Sequence, residues 1–102
     1  MAIKRLHLTE RLHLDHPAEE KGFAVSGYWP FYEEKALSFI GCFLFLHERQ
    51  SAPARYAGEI VGVVEQTEGK YGGRFIFLVK DEPRLIGITT STDGWNRWMK
   101  TE

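Results

Sequence analysis

At 102 residues, with 43% hydrophobic and 26% charged residues, the chain has the composition of a soluble globular protein, which excludes a disordered or fibrous chain. A chain of this length buries about two-thirds of its unfolded surface on folding, enough for one core without disulfide staples, so residues 1–102 are expected to form a single domain. The formal net charge of −1 excludes a broad basic field that binds nucleic acid by counterion release, so any such contact has to be local.

Cysteine and hydropathy narrow the class further. The single cysteine, Cys42, has no partner for an internal disulfide and lies inside an apolar run, where a buried inert thiol is expected. No signal-peptide pattern opens the sequence, and its apolar runs fall far short of the roughly 20 residues that span a bilayer. The expectation is a soluble cytoplasmic protein with no membrane partner.

In chain order, Arg5–Leu8 and Arg11–Leu14 repeat Arg-Leu-His-Leu around Thr9 and Glu10. Leucines alternating with His7 and His13 have the period-two pattern of half-buried strands, either one bent strand or two short ones, with the histidines on the exposed face. His16–Gly22 is polar and punctuated by Pro17 and Gly22, consistent with one helical turn. Phe23–Trp29 reads as a strand stopped by Pro30, and Tyr32–Leu37 as a helix of one or two turns.

Ser38–Leu46 is too apolar throughout to alternate with solvent, which predicts a strand in the middle of the sheet. Ala54–Gln66 resumes as a long strand in which Gly58 and Gly62 mark bulges or close backbone approach. Thr67–Gly73 is a turn, and Arg74–Lys80 is a strand with Phe75, Phe77 and Val79 on one face. Leu85–Thr90 is predicted as a further strand. Ser91–Lys100 is predicted as a helix carrying Trp95, Trp98 and Met99 on one face. Short strands with glycine-marked bends make the fold mainly β: a closed or nearly closed barrel with short flanking helices, with a small α+β sandwich as the alternative.

Few motifs carry chemistry. The histidines lack the spacing and the cysteine partners of a zinc site, so no metal and no cofactor is expected. Phosphate-cradle, nucleophile-elbow and dinucleotide fingerprints are absent. The carboxylate pairs Glu19-Glu20, Glu33-Glu34 and Asp81-Glu82 read as solvated.

Two segments stand out. His47, Glu48, Arg49, Gln50 and Ser51 follow directly on a buried strand, which would present them at the rim of a rigid scaffold. With Arg55 they combine a planar fork, amide and hydroxyl donors and a carboxylate, a set that recognises a planar hydrogen-bonding ligand. The plainer reading is that Glu48 pairs with Arg49 or Arg55 and that Ser51 and Pro53 only shape the loop. Tyr28, Trp29, Phe31 and Tyr32 place four rings in five positions around Pro30. They are expected either to stack on a base at the barrel edge or to form a small core beneath the loop.

The strand Cys42–Glu48, the polar loop and the pattern Ala57-Gly58-Glu59-Ile60-Val61-Gly62-Val63-Val64 resemble the PUA-like superfamily, in particular its ASCH and EVE branches. The likeness spans roughly residues 38–89. It implies a bent β-barrel whose cleft binds RNA or modified bases in DNA, with Trp29 and Tyr32 as stacking rings and Glu48–Ser51 as base-edge partners. The lysine, threonine and glutamate used by ASCH amidohydrolases have no clear counterpart here, where Lys35 and Glu59 are the nearest candidates. The GYWPF segment lies nearly thirty residues in, later than the first strand of an EVE domain.

Three functions follow from these readings. The first is a non-catalytic binding module for a nucleotide or modified base in RNA or DNA, in which stacking on one ring contributes about 1–3 kcal/mol. The ligand set is Trp29, Phe31, Tyr32, His47, Glu48, Arg49, Gln50, Ser51 and Arg55. The second is a small hydrolase of a modified nucleoside with Glu48 or Glu59 as base and His47 as its acid–base partner. The third is an interaction module or homodimer joined through the Tyr28–Tyr32 rings.

Overall fold

The computed structural model describes residues 4–9, 16–17, 22–67, 69 and 72–102. Its strands are β1 (Arg5–Thr9), β2 (His16–Pro17), β3 (Phe23–Trp29), β4 (Phe43–His47), β5 (Ala54–Gln66), β6 (Arg74–Asp81) and β7 (Met99–Thr101). One helix, α1 (Glu33–Ser38), and a 3-10 turn at Pro83–Leu85 complete the regular structure. The strands form one mixed sheet in the order β2-β3-β6-β5-β4-β1-β7, in which β1 and β4 run parallel and the other neighbours antiparallel. The protein is mainly β, as its sequence predicts.

The sheet is not a closed barrel, because β2 and β7 are its two edges and do not pair with each other. It is nevertheless strongly curled. Five strand spacings separate β3 from β7, about 24 Å if the sheet were flat. Yet Trp29 on β3 stacks on Trp98 at the entry to β7, with ring centroids 5.5 Å apart. Phe31 sits in the same seam, against Trp98, Phe39 and Phe77. Ring packing, not a hydrogen-bonded ladder, draws the two ends of the sheet together.

Alternation along the strands explains the core. Leu6 and Leu8 of β1, Leu44 and Leu46 of β4, and Phe75, Phe77 and Val79 of β6 point to the inside of the curl and are buried there. The opposite face of β4 is covered as well, with Phe45 packed among Ala54, Ala57, Leu85 and Ile88. Burial on both faces is why residues 43–46 are uniformly apolar. Cys42 lies in the main core, and burial pushes its thiol above the ordinary value.

The two β5 glycines serve different ends. Gly62 adjoins a bulge at Val61, where the register with β6 slips by one residue. A Cβ on Gly58 would lie 2.5 Å from the Lys80 carbonyl oxygen and 2.5 Å from a Val79 methyl.

Several segments differ from the sequence expectation. Leu85–Thr90 is not a strand: Pro83 starts a 3-10 turn and Gly87 takes φ +97°, so only the Ala54–Ile88 and Gly87–Ala54 backbone bonds form alongside β5. Ser91–Lys100 is not a helix but turns into β7, because the segment is pulled extended beside β1. His16–Pro17 is a short strand on β3 rather than part of a helical turn, and the second Arg-Leu-His-Leu copy lies outside the described residues. Among the described residues no helix is long and apolar enough to cross a membrane.

Gly58→Ala is expected to destabilise the fold by about 1–3 kcal/mol, since backbone on β6 must yield. Gly62→Ala, whose Cβ meets Leu78 at 3.6 Å, is expected to cost much less. Urea unfolding midpoints of the two variants measure the difference.

Candidate functional site

The parallel pairing of β1 with β4 brings the C-terminal ends of both strands to one edge, with Thr9 beside His47. Residues 48–53 leave β4 there, and the turn preceding β7 folds over the same edge. Together they form an open cleft of 370 Å³ lined by Thr9, Arg49, Gln50, Ser51, Thr92 and Arg97. The loop is closed by a backbone bond from Ala52 to the Arg49 carbonyl, and a register shift between Leu46 and His47 marks where β4 leaves its ladder.

The opposite wall is held in an unusual conformation. Arg97 has φ +58°, the left-handed region, which costs a non-glycine residue roughly 1–2 kcal/mol. Two reciprocal backbone bonds between Asn96 and Met99 fix that turn. The Gln50 amide donates to the Arg97 carbonyl at 2.7 Å, tying the two walls together. Strain of this kind tends to sit where a side chain has to be aimed. Among the described residues, no carboxylate lines the cleft or pairs with Arg49 or Arg97.

Behind the cleft lies a buried polar chain. His7, expected on an exposed strand face, is fully buried: alternation does turn it away from Leu6 and Leu8, but residues 85–95 and β7 cover that second face. Its ring stacks on Phe45, with centroids 4.8 Å apart. His7 Nδ1 lies 2.9 Å from His47 Nε2, and His7 Nε2 lies 2.7 Å from Glu102 Oε1. His47 Nδ1 donates to the Ala52 carbonyl at 2.8 Å.

Glu102 is held in turn by the Thr90 hydroxyl, which donates to Oε2 and accepts from the Lys100 ammonium. Lys100, itself buried, also donates to the Ser91 carbonyl and hydroxyl. Trp95 covers both imidazoles edge-on, at 6.2 Å from His7 and 5.7 Å from His47.

Burial lowers both imidazoles below the ordinary value of 6.5. Glu102 opposes that effect at His7 through its hydrogen bond and charge, while the Ala52 carbonyl and the Glu102 charge oppose it at His47. The Glu102 carboxyl is raised by its own partial burial, but the bonds from His7 and Thr90 and the charges of His7 and Lys100 outweigh this and hold it below 4.5. The imidazoles and the carboxylate form a line in which each nitrogen faces the next group, so they share no common point for a metal ion. Among the described residues no cluster of three or more such side chains is arranged to hold one.

The structure divides the residues singled out in the sequence. Arg49, Gln50 and Ser51 do line one cleft, but Trp29, Phe31 and Tyr32 do not share it. Trp29 and Phe31 are core residues at 7% and 8% exposure, so neither is a surface for stacking on a base. The Trp29 indole N–H is spent on the Ser26 hydroxyl. Tyr32 is 87% exposed at the entry to α1 and lies outside the cleft. Glu48, which opens the loop, and Arg55, which follows it on β5, are exposed but do not line the cleft.

His47 is buried with both ring nitrogens engaged, and so does not face the cleft as an acid–base group. Lys35 on α1 and Glu59 on β5 lie outside the cleft too. Sequence reasoning missed Thr9, Thr92 and Arg97, because Thr9 reaches the cleft through the parallel pairing of β1 with β4, and Thr92 and Arg97 through the return of the C-terminal segment. The Thr-Asp-Gly run at residues 92–94, a turn signal inside the segment predicted as a helix, is the feature of the sequence that marks this return. Comparison with protein-family models, with curated proteins and with solved structures gives no match.

The lowered imidazoles have a definite consequence for stability. Between their native values and 6.5 the unfolded chain binds more protons than the folded one, so their contribution is complete above 6.5 and is lost as pH falls through the native values. The urea midpoint is expected to drop between about pH 7.5 and pH 5, above the range where carboxylates titrate. A midpoint that stays level or rises over that interval would contradict the buried-imidazole assignment.

Proposed function

We propose that the protein is a binding module for a phosphate-bearing, hydrogen-bonding ligand, a nucleotide or a short stretch of nucleic acid, held in the cleft between Arg49 and Arg97. The observation that carries this reading is a cleft with two guanidinium groups, an amide and hydroxyls, and no lining carboxylate among the described residues. Guanidinium forks match phosphate oxygens with paired hydrogen bonds, and the threonine and serine hydroxyls add neutral donors. The net charge of −1 fits a local contact of this kind better than a long duplex.

The likeness of residues 38–89 to PUA-like domains supports the same ligand class. Base stacking on Trp29 and Phe31 drops out, since both are in the core. Recognition then rests on charge and hydrogen bonds, and a marked salt dependence follows. A hydrolytic role has less support, because His47 is turned into the interior.

Titration calorimetry with a nucleoside monophosphate against the bare nucleoside, and with a short single-stranded oligonucleotide, tests the proposal. Arg97→Ala or Arg49→Ala is expected to weaken phosphate-bearing probes by roughly 10- to 100-fold, the loss of one charged hydrogen-bonding group. Arg84→Ala, outside the cleft and paired with Glu82, is expected to leave binding unchanged. Equal affinity for nucleoside and monophosphate, or an Arg97→Ala variant that binds like wild type, would remove the cleft from consideration.

A further inference from the structure

The chain from Ala52 to Glu102 sets a proton-counting problem. It contains three contacts in line: Ala52 carbonyl to His47, His47 to His7, and His7 to the Glu102 carboxylate. Each needs one proton between its two atoms. The carbonyl at one end only accepts, and an ionised carboxylate at the other end only accepts. Two neutral imidazoles bring two N–H groups, one fewer than the contacts require. If His47 donates to Ala52 and His7 donates to His47, His7 Nε2 is left with a lone pair facing Glu102 Oε1 at 2.7 Å.

We infer that His7, His47 and Glu102 share one excess proton, and that this proton docks the residue-102 carboxylate, and with it the β7 edge strand, onto the buried imidazole pair. With it the imidazoles together carry one positive charge, Glu102 carries one negative charge, and all the contacts are made. Without it the proton has passed to solvent, the contact between His7 and Glu102 joins two acceptors, and the carboxylate swings out. Glu102 is free to do so because its side chain is 36% exposed. His7 and His47 are not, because both are fully buried in β1 and β4.

That difference in mobility sets the sign. The imidazoles stay buried whether or not Glu102 is docked, so burial disfavours the proton in both states. Docking adds the attraction of the carboxylate, and the proton therefore binds the docked state more tightly.

Among the described residues the other groups facing the pair are few. β7 supplies Lys100, whose ammonium is 3.6 Å from Glu102 Oε2 and opposes a charge on His7. β1 supplies Arg5, whose guanidinium lies 5.7 Å over the Phe45 ring. The segment before β7 supplies Thr90, Ser91 and Trp95, none of which titrates in this range. Since burial lowers both imidazoles, the step lies below 6.5: docking is favoured at a pH under the shared native value and is lost as pH rises through it.

Glu102→Gln separates this device from an ordinary structural contact. The Gln amide N–H donates to His7 Nε2 and its carbonyl still accepts from Thr90, so all contacts close with neutral imidazoles and no excess proton. Nitrogen-detected NMR of the imidazoles and hydrogen-exchange protection of the β7 amides, from about pH 5 to 8, read the two states. In wild type the rings are expected to lose one proton between them in a single shared step, with His47 Nδ1 protonated throughout. Protection of the amides of residues 100 and 102, which face β1, is expected to fall across that step, relative to the Gln variant at the same pH. In Glu102→Gln the step is absent and protection is level. Two independent imidazole titrations in wild type, or a β7 protection profile common to both proteins, would overturn the inference.

Discussion

Placing two imidazoles inside a sheet is the demand around which much of this molecule is organised. β1 and β4 run side by side in parallel, and their outward faces bring His7 and His47 together under Trp95, with Phe45 stacked against His7. A buried polar group without a partner costs on the order of 1–3 kcal/mol. Every imidazole nitrogen here has one: the Ala52 carbonyl, the neighbouring ring or the Glu102 carboxylate. Those partners come from the loop after β4 and from the strand at the far edge of the sheet. Satisfying the rings therefore brings the loop and the C-terminal segment to the same place.

The cleft is a by-product of that convergence. Thr9 and His47 end their parallel strands side by side, the 48–53 loop leaves from one, and the turn before β7 folds against the other. Gln50 then links the walls through the Arg97 carbonyl, and the left-handed Arg97 backbone is stabilised by bonds on both sides of it. The rigid interior polar chain and the open cationic cleft are thus neighbours with different chemistry. One keeps its imidazoles buried and handles a proton through a partly exposed carboxylate; the other faces solvent and presents fixed positive charge.

Curling of the sheet follows from a separate economy of surface. The aromatic share is high for so small a core, and the rings close the seam between β3 and β7 where hydrogen bonds do not. Two of the rings that in the sequence look like a surplus around Pro30 are thus needed inside. Trp29 and Phe31 fill the gap left by an unclosed ladder, which removes them from any ligand surface.

Much of the architecture is local enough to be written in the chain. Period-two alternation and uniform apolarity delimit β3, β5 and β6 almost to the residue, and Phe75, Phe77 and Val79 share a buried face as their spacing requires. The polar segment after β4 was legible as one wall of a cleft, because a loop leaving a buried strand has to surface. What the chain could not state is which distant segment covers which face. The second face of β1, the extended return of residues 91–101, the pairing of His7 with His47 forty positions away and the arrival of Arg97 opposite Arg49 all depend on contacts between elements remote in sequence. Local preference marks where strands begin and end. Burial of the second face is a property of the assembled sheet, and only there do a histidine that looks exposed and a turn that looks helical take their places.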